Sequence, residues 1–199
     1  MPLPIASTAS LFEDALQSNE AIEVPVGGVD FVSFTSGQTI RTLGTRRLNG
    51  NSALVLVSTK GAILANIPLP PCSMEEHNAN LTQLWKKTTA FLNLFNENAG
   101  LFLGPDEKRY AIVYGPSARP KPFPQYDAII DSILSNSLGV IEKPKIISYT
   151  YEEGGHNQPD SGSVFIDGRG KIPKVYVEDK DQKWFDQVFV YLAMEKWCR

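Results

Sequence analysis

A chain of 199 residues with 42% hydrophobic and 21% charged residues has the composition of an ordinary soluble globular protein. The formal net charge of -3 supplies no basic field for nucleic acid, and no apolar run is long enough to cross a bilayer. Cys72 and Cys198 make no disulfide framework and the first seventeen residues lack the basic and apolar regions of a secretory signal, so the chain reads as cytoplasmic and reduced.

Ala9 to Gln17 carries a narrow apolar stripe of Leu11, Ala15 and Leu16 behind Ser10, a helix with its N-cap. Ala21–Val26 and Val29–Phe34 alternate in the manner of strands around a Gly27-Gly28 turn, and Thr39–Leu43 predicts another strand. The two short apolar runs Ala53–Val57 and Ala62–Leu69 flank a turn at Thr59–Gly61 and read as buried strands. Where the polar loop meets the first of them stand Asn51 and Ser52, and the facing strand offers Asn66.

Ser73 and Glu76 have capping-box spacing ahead of the clearest helix. Its stripe is Leu81, Leu84, Trp85, Thr88, Phe91, Leu92 and Phe95, and Asn98-Ala99-Gly100 supplies a stop. Arg109–Tyr114 reads as a strand. The proline-rich span after Gly115, which holds Arg119, reads as a surface loop at that strand's end. A helix with Tyr126, Ile129, Ile130, Ile133 and Leu134 on one face follows, then a strand at Lys145–Tyr151. The most polar loop comes next and contains Glu152, Glu153, Gly154, Gly155, His156 and Asp160. Ser163–Ile166 and Lys174–Val177 predict a hairpin, and Asp181–Trp197 a terminal helix with Trp184, Phe185, Val188, Phe189 and Leu192 on its apolar face.

Strands and helices alternate, with hairpins interrupting the alternation. The expected fold is therefore α/β or α+β with a mixed sheet, and no internal repeat is present. The expected division is an N-terminal helical segment over 1–20, a core over 21–178 and a C-terminal helix over 179–199 packed on the core or on a partner.

The order of parts resembles the CheD-type chemoreceptor glutamine deamidases over residues 23 to 178. That family has a Thr-Leu-Gly segment, a Gly-Ser-Cys loop entering a strand, a strand of Gly-Ala-x-x-His-x-x-Leu-Pro pattern and a late Thr-Gly-Gly loop. Here Thr42-Leu43-Gly44, Gly50-Asn51-Ser52, the strand Ala62 to Pro70 with Asn66, and Glu153-Gly154-Gly155 stand in those places. The resemblance implies a mixed-sheet sandwich flanked by helices, to which the C-terminal helix is an addition. It matches the family's threonine to Thr42 or Thr45, its nucleophilic cysteine to Ser52 and its histidine base to Asn66. A serine hydroxyl is not ionised near neutrality and an asparagine is no base, so the thiolate–imidazole chemistry is missing at the matched positions.

Three functional readings follow. The first is a non-catalytic CheD-like protein that binds a protein or small ligand through Thr42, Asn51, Ser52, Asn66, Arg119, Gly154, Gly155 and His156. The second is an amide hydrolase or glutamine deamidase with a relocated nucleophile, Cys72 or Ser52, and His156 or His77 as base. The third is a self-assembling protein, a homodimer through the aromatic residues of the C-terminal helix. No cofactor is expected. The acidic residues around His156 match no metal-binding spacing, and Gly168-Arg169-Gly170-Lys171 lacks the glycine spacing of a phosphate loop. Arg46, Arg47 and Arg119 border the loops as candidates to pair with an acidic group.

Overall fold

The computed structural model describes residues 10–68, 74–103, 108–115, 137–138, 144–150 and 162–184, with backbone alone at 74–81. The elements in order are α1 (Leu11–Gln17), β1 (Ala21–Glu23), β2 (Val29–Ser33), β3 (Thr42–Thr45), β4 (Ser52–Val57) and β5 (Gly61–Ile67). Then come α2 (Met74–Glu97), a 3-10 turn (Ala99–Phe102), β6 (Arg109–Tyr114), β7 (Lys145–Ser148), β8 (Val164–Asp167), β9 (Lys174–Val177) and β10 (Lys180–Asp181).

The strands form two five-stranded sheets, ordered β1-β3-β8-β9-β10 and β2-β5-β4-β6-β7. Both are mixed: β1 with β3 and β6 with β7 are parallel, and the remaining pairs are antiparallel. The class is α+β, as the alternation of elements leads one to expect.

Strand β5 explains the layering. Every residue of Gly61–Ile67 is buried, so the strand is covered on both faces. Ala62 and Leu64 enter the core between the sheets, with Val55 and Val57 from one side and Leu43, Ile166 and Val175 from the other. Ile63, Ala65 and Ile67 point the opposite way, as the two-residue period requires, and meet Leu84, Phe91 and Phe95 of α2. A third cluster, Phe12 and Ala15 of α1 against Phe165 of β8, covers the outer face of the first sheet. The layers therefore run α1, first sheet, second sheet, α2. Close packing at α1 demands a glycine: a Cβ on Gly44 would sit 2.6 Å from the Phe12 ring.

Ser10 caps α1, its Oγ accepting the Glu13 amide at 3.2 Å, as its position before the stripe predicts. Three expectations change. Gly27-Gly28 does not close a hairpin, because β1 pairs with β3 and β2 with β5 in the other sheet; the glycine pair carries the chain between sheets, Gly27 at φ 69°. Trp85 is 51% exposed although it lies in the expected apolar stripe. The buried line is Leu84, Thr88, Phe91 and Phe95, and one residue off it turns a side chain about 100° away.

The helix expected from residue 179 does not begin there. Lys180 and Asp181 instead extend the first sheet as β10, paired with Val177 and Tyr176 across a two-residue turn. Both turn residues have positive φ, 49° at Glu178 and 57° at Asp179, the primed geometry that suits strand twist. Trp184 then packs half-buried against the core between the sheets. Residues 185–199, the helix expected near Tyr126–Leu134 and the Ser73 cap lie outside the described residues. No helix among the described residues is long and apolar enough to cross a membrane.

Candidate functional site

Six strand ends meet at one end of the stacked sheets. Ala53 at the start of β4 is paired with Asn66 near the end of β5 and with Val113 near the end of β6. Val113 is in turn paired with Ile147 of β7. In the other sheet Thr45, the last residue of β3, pairs with Val164, the first of β8. The loops that leave these ends hold the sequence's candidate residues.

A chain of polar side chains crosses from one sheet to the other here. Its direction follows from one fixed acceptor. The Val24 carbonyl can only accept, so the Thr45 hydroxyl donates to it, at 2.8 Å. The Thr45 oxygen then accepts, and Asn66 presents its Nδ2 to it at 2.8 Å. That turns the Asn66 Oδ1 towards Asn51, whose Nδ2 donates to it at 3.3 Å. Thr45 and Asn66 are both fully buried, so these bonds satisfy groups that water cannot reach. Neither amide ionises near neutral pH. The chain orients side chains without moving charge.

Asn51 is held by the loop it sits in. Its amide donates to the Leu48 carbonyl at 2.7 Å, with Asn49 at φ 46° and Gly50 at φ 91° between them, a type I′ turn. The Leu48 amide donates to the Gly162 carbonyl at 3.1 Å, and the Tyr149 hydroxyl donates to the Asn51 carbonyl at 2.9 Å. The Tyr149 ring needs a glycine at 115, where a Cβ would come within 2.8 Å of it; at Gly162 a Cβ would crowd the ring at 3.2 Å and the backbone is at φ 60°.

Glu178 completes the frame. Its Oε1 accepts the amides of Thr150 at 2.8 Å and Gly162 at 3.1 Å, and its Oε2 meets the Thr150 hydroxyl at 2.9 Å. One carboxylate thus joins both ends of the span between Thr150 and Gly162.

The candidates separate as follows. Asn51 and Asn66 are brought together. Of the two threonines, Thr45 belongs to the cluster, whereas Thr42 donates to the Glu20 carbonyl at 2.6 Å, three residues back along β3. Ser52 is paired with Ile67, whose side chain lies in the core beneath α2, so its own side chain leaves on the face opposite Asn66. Arg46 is engaged by Glu23 at 2.9 Å and Glu13 at 3.3 Å, and its pKa is raised, chiefly by the hydrogen bond to Glu23. Arg47 is exposed beside the turn, at φ 55°. Cys72, Arg119, Gly154, Gly155, His156 and the His77 side chain lie outside the described residues.

Sequence reasoning missed Tyr149 and Glu178. A signal for the second was present: Glu178-Asp179 interrupts the alternation of β9 where a two-residue turn fits. Among the described residues no group of three or more His, Cys, Asp or Glu is placed to hold a metal ion.

These features define an α+β protein of two stacked mixed sheets between helices, with a buried amide–hydroxyl chain at its loop-bearing end. No family model and no curated protein matches the chain.

Proposed function

We propose that this is a non-catalytic protein on a CheD-like scaffold, which binds a protein or small ligand through the loops around Asn51. The observation that supports the reading is the Asn51–Asn66–Thr45 chain. It contains Asn66, which the resemblance matches to the family's base, while Ser52, matched to the nucleophile, leaves on the opposite face of β4; the chain's two amides and a hydroxyl only donate and accept hydrogen bonds. The frame around Asn51 is rigidly tied, by Tyr149, Leu48 and Glu178, as a preorganised binding edge requires. Arg47, exposed beside it, suits a ligand that presents a carboxylate or phosphate. A cytoplasmic location and a partner other than nucleic acid belong to the same reading.

Two measurements test it. Ammonia release from glutamine-containing peptides should not exceed the blank; release that is lost in Cys72→Ser would replace this reading with the relocated-site hydrolase. Ligand capture should weaken in Asn51→Ala and Arg47→Ala at unchanged circular dichroism, and survive in Ser52→Ala, whose side chain is on the other face. Equal capture by all three variants would sink the proposed site.

A further inference from the structure

The loop that carries Asn51 contains a chemical site of its own. We infer that Asn49 is a deamidation site, closed by the peptide nitrogen of Gly50, and that the Tyr149–Asn51 bond controls how fast it reacts.

The reagents are on the chain. Asn49 is exposed and Gly50 follows it. Gly50 is buried, and having no Cβ it adds no side chain of its own beside its nitrogen. The Gly50 N–H has no hydrogen-bond acceptor among the described residues. That nitrogen attacks Cγ of Asn49. A bond forms between Gly50 N and Asn49 Cγ, the bond from Cγ to the side-chain nitrogen breaks, and ammonia leaves with the proton from Gly50 N. The product is a five-membered cyclic imide. Water then opens it at one of two carbon–nitrogen bonds. Cleavage at Cγ gives aspartate; cleavage at the former backbone carbonyl gives isoaspartate, with the backbone running through Cβ. Water is the only co-reactant.

The turn opposes the first step. In a type I′ turn the first central residue directs the following peptide nitrogen away from its own Cβ, so Asn49 must leave this conformation before the ring can close. Three hydrogen bonds among the described residues resist that movement. The Asn51 amide holds the Leu48 carbonyl, the Leu48 amide holds Gly162, and the Tyr149 hydroxyl holds the Asn51 carbonyl. Breaking these bonds frees the turn without requiring any strand pairing to break. Its product matters to the cluster: isoaspartate lengthens the backbone between Leu48 and Asn51 by one carbon, and either product adds a negative charge beside Arg47.

The test incubates the folded protein at mildly alkaline pH and maps peptides by mass, with aspartate and isoaspartate separated by chromatography. Urea-unfolded protein, Tyr149→Phe and Asn49→Ser run in parallel. The expected result is an amide-to-acid mass gain at Asn49 in the folded chain. The unfolded chain should gain it severalfold faster, Tyr149→Phe at an intermediate rate, and Asn49→Ser should show no gain in that peptide. No product at Asn49 in the folded chain overturns the site. Equal rates for wild type and folded Tyr149→Phe overturn the control by Tyr149. Should that variant not fold, hydrogen exchange of the Asn51 amide replaces it. Exchange and deamidation must then accelerate together in sub-denaturing urea, and independent responses overturn the inference.

Discussion

The Glu178 carboxylate accepts the Gly162 amide at 3.1 Å from a backbone position, φ 49°, that a glutamate rarely occupies. The strain and the bond belong together. As the first residue of the two-residue turn after β9, Glu178 places its carboxylate against both Gly162 and Thr150, and the three bonds it accepts hold it there. Removing the side chain should release the strain only if the replacement lacks a Cβ. Glu178→Gly and Glu178→Ala lose the same bonds, but alanine keeps the left-handed penalty of roughly 1 kcal/mol. Denaturant midpoints should therefore rank wild type, then Glu178→Gly, then Glu178→Ala. The reverse order for the two variants would show that the turn is not strained.

Acid stability should depend on Asp167. Burial pushes its carboxyl up, but hydrogen bonds from the Arg169 side chain and backbone, with the Arg169 and Lys174 charges, more than offset this and hold it below the ordinary 3.8. A folded value below the unfolded one means that the stabilisation is complete above the unfolded value and disappears as pH falls through the folded one. The gap in urea midpoint between wild type and Asp167→Asn should thus be wide at about pH 6 and narrow at about pH 3. A gap that stays constant removes the ion pair as its cause.

Lys108 has the opposite dependence. The residue is 8% exposed, and its amine donates to the Leu138 carbonyl at 2.6 Å and lies 5.4 Å from the centre of the Phe95 ring. Burial lowers its pKa from 10.5. Between the lowered folded value and 10.5 the unfolded chain binds more protons, so this group's contribution to stability rises with pH across that window. Lys108→Met should abolish that rise relative to wild type. A methionine of similar length fills the same space without a charge to desolvate, so at neutral pH its cost should stay within about 1–2 kcal/mol.

Much of the fold is written locally in the chain. β4 and β5 stand out as short apolar runs because both of their faces are covered, and the Ser10 cap and the β8–β9 hairpin need only near neighbours. What escaped depends on partners distant in sequence. The Gly27-Gly28 bend resembles a hairpin until β1 is seen to run parallel to β3. The candidate site shows the same limit at one-residue resolution. Strand side chains alternate, so the choice between Asn51 and Ser52 is a choice of face, and the pairing of Ala53 with Asn66 decides it. Likewise Thr42 and Thr45 differ by an odd number of positions, and only Thr45 meets Asn66. Tyr149 and Asn51 are 98 positions apart, and nothing local in either marks their bond.

The chain from Asn66 to Val24 makes a prediction about coupling. Thr45→Val keeps shape but leaves the Val24 carbonyl and one Asn66 donor without their partner in a site where both side chains are fully buried. It should cost about 1–3 kcal/mol, the penalty of unsatisfied buried groups. Asn66→Leu removes the other side of the same bond and the contact to Asn51. Because the two residues share one hydrogen bond, the second substitution should cost less when the first is already present, by a coupling of about 0.5–3 kcal/mol in a double-mutant cycle of urea unfolding. Ser52→Ala, paired against the same variants, should add independently, since its side chain leaves on the far face of β4. Additive costs for Thr45→Val and Asn66→Leu would mean that the two side chains do not act as one unit, and the proposed ligand edge would lose its support.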